Sequence, residues 1–337
     1  MAEMLAGRLH VTGRELRMES VPVPEPGRGQ VRVRVVAAGV CLSDVHLIDG
    51  TLTPLYLAGD VVTLGHEVAG TVDALGDGVD GWLPGQRVLL QAGERDRRGT
   101  VLTRGVDYDG GWAEYALARE DTLVPIPDDL PFEQACIIPD AVSTPWAAVT
   151  DTARTRPGEA VGVWGVGGLG AHAVQLLRLV GAAPVIAVDP LPAARERALT
   201  LGADVALDPK DDGFRDAVLE LTAARGLDVA FDFAGVTPVR EQALTVLGRR
   251  GRLVLAGIAN QPVTIASDSR FTYLGQSVHG HYGSEAEHVD QLVTLTGQGR
   301  LDLAASVSDV LPLADAAEAV RRVHDKQGNP IRLILRP

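Results

Sequence analysis

Residues 161–180 read VGVWGVGGLGAHAVQLLRLV. A short apolar run, VGVWG, leads into G-V-G-G-L-G and then into a segment with helical spacing. Glycine at positions 165, 167 and 170 matches G-x-G-x-x-G, with Gly168 and Leu169 inside it. Alone that pattern is weak evidence; between a strand and a helix it is strong. The first glycine permits the tight turn, the second lets backbone approach a pyrophosphate, and the third allows close helix–strand packing. The helix N-terminus then favours the anion.

The same alternation continues downstream. PVIAVD, DVALD, LDVAFDFAG, RLVLAGI and SVHGHY read as strands, and AARERALTLG, FRDAVLELTAARG and PVREQALTVLGRRG as the helices between them. Repeated strand–helix units predict a doubly wound parallel sheet, an α/β fold, over residues 151–283. The second strand ends in Asp189. An acid there can accept both hydroxyls of an adenosine ribose and repels a 2′-phosphate. No arginine directly follows it, Arg195 coming later, so NAD rather than NADP is the expected cofactor. The alternative is that Asp189 only ends a strand.

Residues 1–150 have a different texture. VRVRVVAAGV (31–40) alternates polar and apolar side chains and predicts a strand; HEVAGTVDAL and QRVLLQAG do likewise, with PVPEPGRG and GWLPGQ as turns. This part is expected to be a mostly-β domain. The tail, 284–337, carries two helical segments and a closing strand, PIRLILRP, and is expected to pack back on it.

The chemistry-bearing residues of the first part fall in GVCLSDVH (39–46) and LGHEVAG (64–70). A thiolate from Cys41 and an imidazole from His66, offered by two loops, can hold zinc; a third protein ligand would leave an open, catalytic position. The other cysteine, Cys136, lies among apolar neighbours and reads as core. Two cysteines make no disulfide framework.

Taken with GDGVDGWLPGQRV, DGGWAEY and the GVGGLG turn, these motifs make the chain resemble the zinc-dependent medium-chain alcohol dehydrogenase family over nearly its whole length. The resemblance implies a GroES-like catalytic domain (1–150, completed by 284–337), a Rossmann NAD-binding domain (151–283) and zinc beside the cofactor. It makes Cys41 and His66 zinc ligands. Asp140 stands where many members place a third, cysteine ligand; aspartate is also a legitimate zinc ligand, though a helix cap near STPW would equally suit it. Glu67 would be the acid behind the metal, or a buried acid paired to an arginine. Asp44 would orient His66, or belong to a turn. Ser43 and His46 would form a proton relay, and Thr144 would pack near the nicotinamide. The cysteine lobe that holds a second, structural zinc in some relatives is missing: residues 89–111 contain no cysteine, so one Zn2+ per chain is expected.

The implied activity is oxidation of an alcohol (secondary, primary or polyol) to the ketone or aldehyde, with hydride passing to NAD. Two rivals are a zinc-free NAD(P)H-dependent enone or quinone reductase and a non-catalytic NAD-binding protein. A substrate pocket near Ser43, Leu57, Gln91, Trp112 and Trp146 is expected, with the alternative that most of Trp82, Trp112, Trp146 and Trp164 are core. The formal net charge of -13 argues against nucleic acid as a partner. No apolar run is long enough for a membrane span, and the start lacks a basic, then apolar, leader. A cytoplasmic homodimer or homotetramer is expected.

Overall fold

The computed structural model describes residues 2–337. The chain divides into two compact units, one running up to Ser143 and resuming at Glu285–Pro337, the other Thr144–Ser284.

In the first unit a long strand, Gln30–Val40, is the centre of a seven-stranded sheet. Its alternating sequence buries Val31, Val33 and Val35 on one face, and its last residues are buried throughout. Val68–Leu75 and Tyr115–Arg119 pair with it antiparallel. So does the strand Arg332–Arg336 from the chain's far end, with Leu333 opposite Val40 and Leu335 opposite Ala38. Leu311, Leu313, Leu333 and Leu335 share one apolar core with Leu9, Val33, Val68, Leu90 and Trp112. Burying such side chains is the main force that closes the tail onto the unit. A three-stranded sheet formed by Glu15–Pro22, Glu3–His10 and Val61–Thr63 completes the main β framework.

The second unit has six parallel strands. Their spatial order is Val205–Leu207, Val185–Val188, Val161–Trp164, Leu227–Asp232, Leu247–Leu255, Ser277–Gly280. In chain order this is 3-2-1-4-5-6, the arrangement of doubly wound dinucleotide folds. Val161–Trp164 and Val185–Val188 are buried along their whole length, as helix-covered parallel strands require.

No helix among the described residues is long and apolar enough to cross a membrane.

Candidate metal centre and dinucleotide turn

Cys41 follows the last residue of the long central strand and is the N-cap of a helix, Leu42–Asp49. The sequence reading of a loop is corrected here: the relay residues Ser43 and His46 lie one turn apart on that helix. The helix starts where it does because of a reciprocal cap. The Asp44 backbone N–H bonds the Cys41 sulfur, while Asp44 Oδ2 accepts the Cys41 N–H at 2.8 Å.

His66 follows a turn pinned by the DGGWAEY segment. Gly111 N–H donates to Gly65 O at 2.8 Å, and Trp112 N–H to Leu64 O at 2.9 Å. The Trp112 indole is fully buried and donates to Gly39 O at 3.0 Å. Trp112 is therefore a core pillar beneath the His66 turn, the core reading of this tryptophan and not the pocket one.

Asp140 lies in a short π-helical turn, Ile138–Val142, a distortion that is frequent at functional sites. Its Oδ2 is 3.5 Å from Cys41 Sγ and 3.3 Å from His66 Nε2. The donor atoms of Cys41, His66, Glu67 and Asp140 all fall within 4.8 Å of one another. A tetrahedral zinc with bonds of about 2.0–2.3 Å would set its ligand atoms about 3.3–3.6 Å apart. These separations are long for strong hydrogen bonds and fit those ligand edges, so these residues could hold the metal.

Behind the donors, Glu67 is fully buried and gripped by Arg332. Arg332 Nε lies 3.0 Å from each carboxylate oxygen and Nη2 2.7 Å from Oε1. The same Nη2 reaches Asp140 Oδ2 at 3.4 Å. Gly39 makes room for this pair: a Cβ there would sit 1.9 Å from Glu67 Oε2. Both readings of Glu67 thus describe one residue, since the acid paired to an arginine is also the acid behind the metal-ready donors. Sequence reasoning missed Arg332. Its only signal was a cation inside the apolar closing strand.

The electrostatics favour a cation at this place. Burial opposes charge on His66, yet Asp44, with Asp140 and Cys41, outweighs it and holds the ring's pKa well above 6.5. Burial pushes Glu67 up to about 7 against the pull of Arg332, and burial likewise raises Asp44. Asp44 Oδ1 is 3.7 Å from His66 Nδ1, and both atoms are buried without a hydrogen-bond partner. Asp44 therefore faces the ring, at a distance too long for a formed hydrogen bond.

Ser43 Oγ donates to Cys41 Sγ at 3.0 Å and is 3.5 Å from His66 Nε2, which places its hydroxyl at the donor cluster. His46 is half-buried; burial lowers its pKa below 6.5, with Asp49 pulling the other way.

In the second unit, Gly165 has φ +85, and a Cβ on Gly170 would fall 1.8 Å from Gly165 O, so the turn closes only with glycine. A Cβ on Gly167 would meet nothing within 4 Å, which leaves that backbone open to a ligand. Asp189 Oδ2 accepts Val166 N–H at 2.9 Å and Oδ1 accepts Leu191 N–H at 2.9 Å. His172, fully buried, donates Nδ1–H to Gly168 O at 2.6 Å. Arg197 Nη2 donates to Val166 O at 2.6 Å. His172 and Arg197 brace the turn through side chains that the motif did not reveal. Thr144 is buried, and its carbonyl accepts from His281 Nε2 at 2.8 Å.

A unit with such a donor cluster, continuous in chain with a dinucleotide fold, defines the class: a medium-chain dehydrogenase. Residues 27–128 match the family model of the alcohol dehydrogenase GroES-like domain, and residues 168–298 that of the zinc-binding dehydrogenases. The chain is 31% identical to an NDMA-dependent alcohol dehydrogenase of Amycolatopsis methanolica, over 98% of each. The alcohol dehydrogenase of Aeropyrum pernix is 32% identical, with a TM-score of 0.89 covering 99% of this chain and 100% of that one. A zinc-binding dehydrogenase of Sinorhizobium meliloti 1021, bound to NADP, is 25% identical with a TM-score of 0.91 over 100% of both chains. This chain belongs to the zinc-dependent medium-chain alcohol dehydrogenase family.

Proposed function

We propose that the chain oxidises an alcohol with NAD, using one zinc ion per chain held by Cys41, His66 and Asp140. The convergence of Asp140 Oδ2 on Cys41 Sγ and His66 Nε2, at 3.5 and 3.3 Å, is the observation that supports this most. When bound, zinc supplies Lewis acidity to the substrate oxygen and NAD accepts the hydride. The chain's own residues do the rest. The helix start fixes the position of the Cys41 sulfur, and Asp44 orients the His66 ring so that Nε2 faces the donors. Arg332 holds Glu67 back from the metal position and steadies Asp140. Ser43 Oγ would accept the substrate hydroxyl proton while giving up its own, and His46, one turn along the same helix, would release a proton to solvent, the nicotinamide ribose bridging the two.

Substrates in this reading are primary or secondary alcohols or polyols, and the products aldehydes or ketones. Thr144 packs against the nicotinamide end of the cofactor, and Gly165–Gly170 take the pyrophosphate. The catalytic part is the unit up to Ser143 with Glu285–Pro337 and the cofactor-binding part Thr144–Ser284, the first boundary falling about seven residues before the expected 150/151. A cytoplasmic homodimer or homotetramer goes with this reading.

An alcohol panel followed at 340 nm with NAD and with NADP tests the activity. Turnover with NAD that is lost on zinc chelation and returns with zinc is expected. Turnover of enones with no dependence on zinc would replace this reading with the zinc-free reductase.

A further inference from the structure

The second and third strands of the parallel sheet are each followed immediately by an aspartate. Val188 is opposite Leu207 in the register, so Asp189 and Asp208 leave the sheet side by side. Their surroundings differ. The Asp189 carboxylate is fixed by the N–H groups of Val166 and Leu191. Asp208 instead takes up a cation: Arg195 Nη1 donates to its Oδ2 at 3.0 Å and also to the Asp189 carbonyl oxygen at 2.7 Å. Asp208 Oδ1 is anchored by the Lys210 N–H at 2.9 Å. Arg195 and Asp208 are each about one-fifth exposed, at 22% and 23% of the side chain.

This end of the sheet thus carries both signals used in cofactor choice. An acid at the second strand suits a ribose 2′-hydroxyl, whereas an arginine nearby accommodates a 2′-phosphate. Arg195 lies six residues after Asp189 on the following helix, yet folds back to the Asp189 carbonyl. What decides between the two signals is the charge on Arg195 that remains to be neutralised. Asp208 neutralises it.

We propose that Asp208 is a specificity-determining residue, which secures the preference for NAD by holding Arg195 in an ion pair and so denying a 2′-phosphate its cation. This rests on the reading of Asp189 as the ribose acceptor. The discrimination is then built from two carboxylates: one binds the hydroxyls, the other occupies the arginine. The bare helix–strand staple that the same ion pair could be would leave cofactor choice unaffected, and that separates the two roles.

The test uses ADP-ribose and 2′-phospho-ADP-ribose titrated into the full-length protein by calorimetry, so that it depends neither on zinc nor on an alcohol substrate. The wild type is expected to favour ADP-ribose. Asp208→Asn keeps the oxygen that accepts the Lys210 N–H and removes the charge. It should shift the affinity ratio toward the 2′-phosphorylated ligand about tenfold, the scale of one charge-assisted contact. Adding Arg195→Gln to Asp208→Asn should cancel that shift. An unchanged ratio in Asp208→Asn overturns the proposal alone. So does a shift that survives in the double variant, because Arg195 would then not be the group released. A wild type that favours the 2′-phosphorylated ligand overturns the NAD reading and the proposal with it.

Discussion

The donor cluster of the first unit and the glycine turn of the second are built on opposite plans. The turn draws its chemistry from consecutive backbone, Gly165 to Gly170, and side chains such as Asp189, His172 and Arg197 only brace it. The cluster draws its chemistry from side chains that meet through the fold. Cys41 and Asp140 are 99 residues apart, and Glu67 and Arg332 are 265 apart. A contiguous site tolerates change elsewhere but not within its few positions. A dispersed site depends on every strand that delivers a member, including the last one in the chain.

The sharpest break between the plans is Gly170→Ala. Its Cβ would collide with Gly165 O at 1.8 Å, so binding of ADP-ribose should be lost while zinc content stays at the wild-type level. Equilibrium dialysis with elemental analysis reads both. Loss of zinc in that variant would mean the two sites are not separable.

Arg332→Ala should do the reverse. Removing one partner of a buried pair leaves Glu67 uncompensated, at a cost of about 3–5 kcal/mol. A lower thermal midpoint and weaker zinc retention are expected, with ADP-ribose affinity unchanged. Arg332→Lys should recover only part of the loss, because an ammonium cannot reproduce the forked contact. An Arg332→Ala protein as stable and as zinc-replete as the wild type would reduce this residue to a bystander.

Asp44→Asn is a smaller change. It removes the charge facing His66 but keeps an oxygen to accept the Cys41 N–H, and should weaken zinc by roughly 10–100-fold in a chelator competition. At His46 the effect is expected on turnover alone, with zinc and cofactor binding intact. As a neutral base it serves alcohol oxidation only above its pKa, which burial places below 6.5. Turnover should therefore fall as pH drops through that acidic range. His46→Gln should lower kcat at neutral pH, by about 10²-fold if the relay carries ordinary base catalysis, and should flatten the acidic limb. An unaltered pH profile would remove His46 from the relay.

The contrast also explains what the sequence made legible. The strand–turn–helix around Gly165 is local, and the repeating apolar strands announce the parallel sheet. Cys41 and His66 each stand in a short polar motif, so they too could be seen. Asp140 needed the family resemblance, because it sits in a π-helical turn whose irregular spacing carries no periodic signature. Arg332 gave only the hint of one cation in PIRLILRP; its role exists only once that strand pairs with Gln30–Val40. Trp112 was left between pocket and core for a related reason. A tryptophan near motif residues suits a pocket or a core equally, and only the bond to Gly39 O shows which. The Arg195–Asp208 pair was invisible because a helix residue had to fold back over a strand end.

The central claim is that Cys41, His66 and Asp140 hold a single zinc on which turnover depends. Zinc per chain, measured by elemental analysis on wild type and on folded Cys41→Ser with alcohol turnover measured in parallel, tests it most directly. One zinc per wild-type chain is predicted, with metal and activity lost together in the variant. Two tightly bound zinc ions in the wild type, or turnover retained by a zinc-free Cys41→Ser, would contradict it.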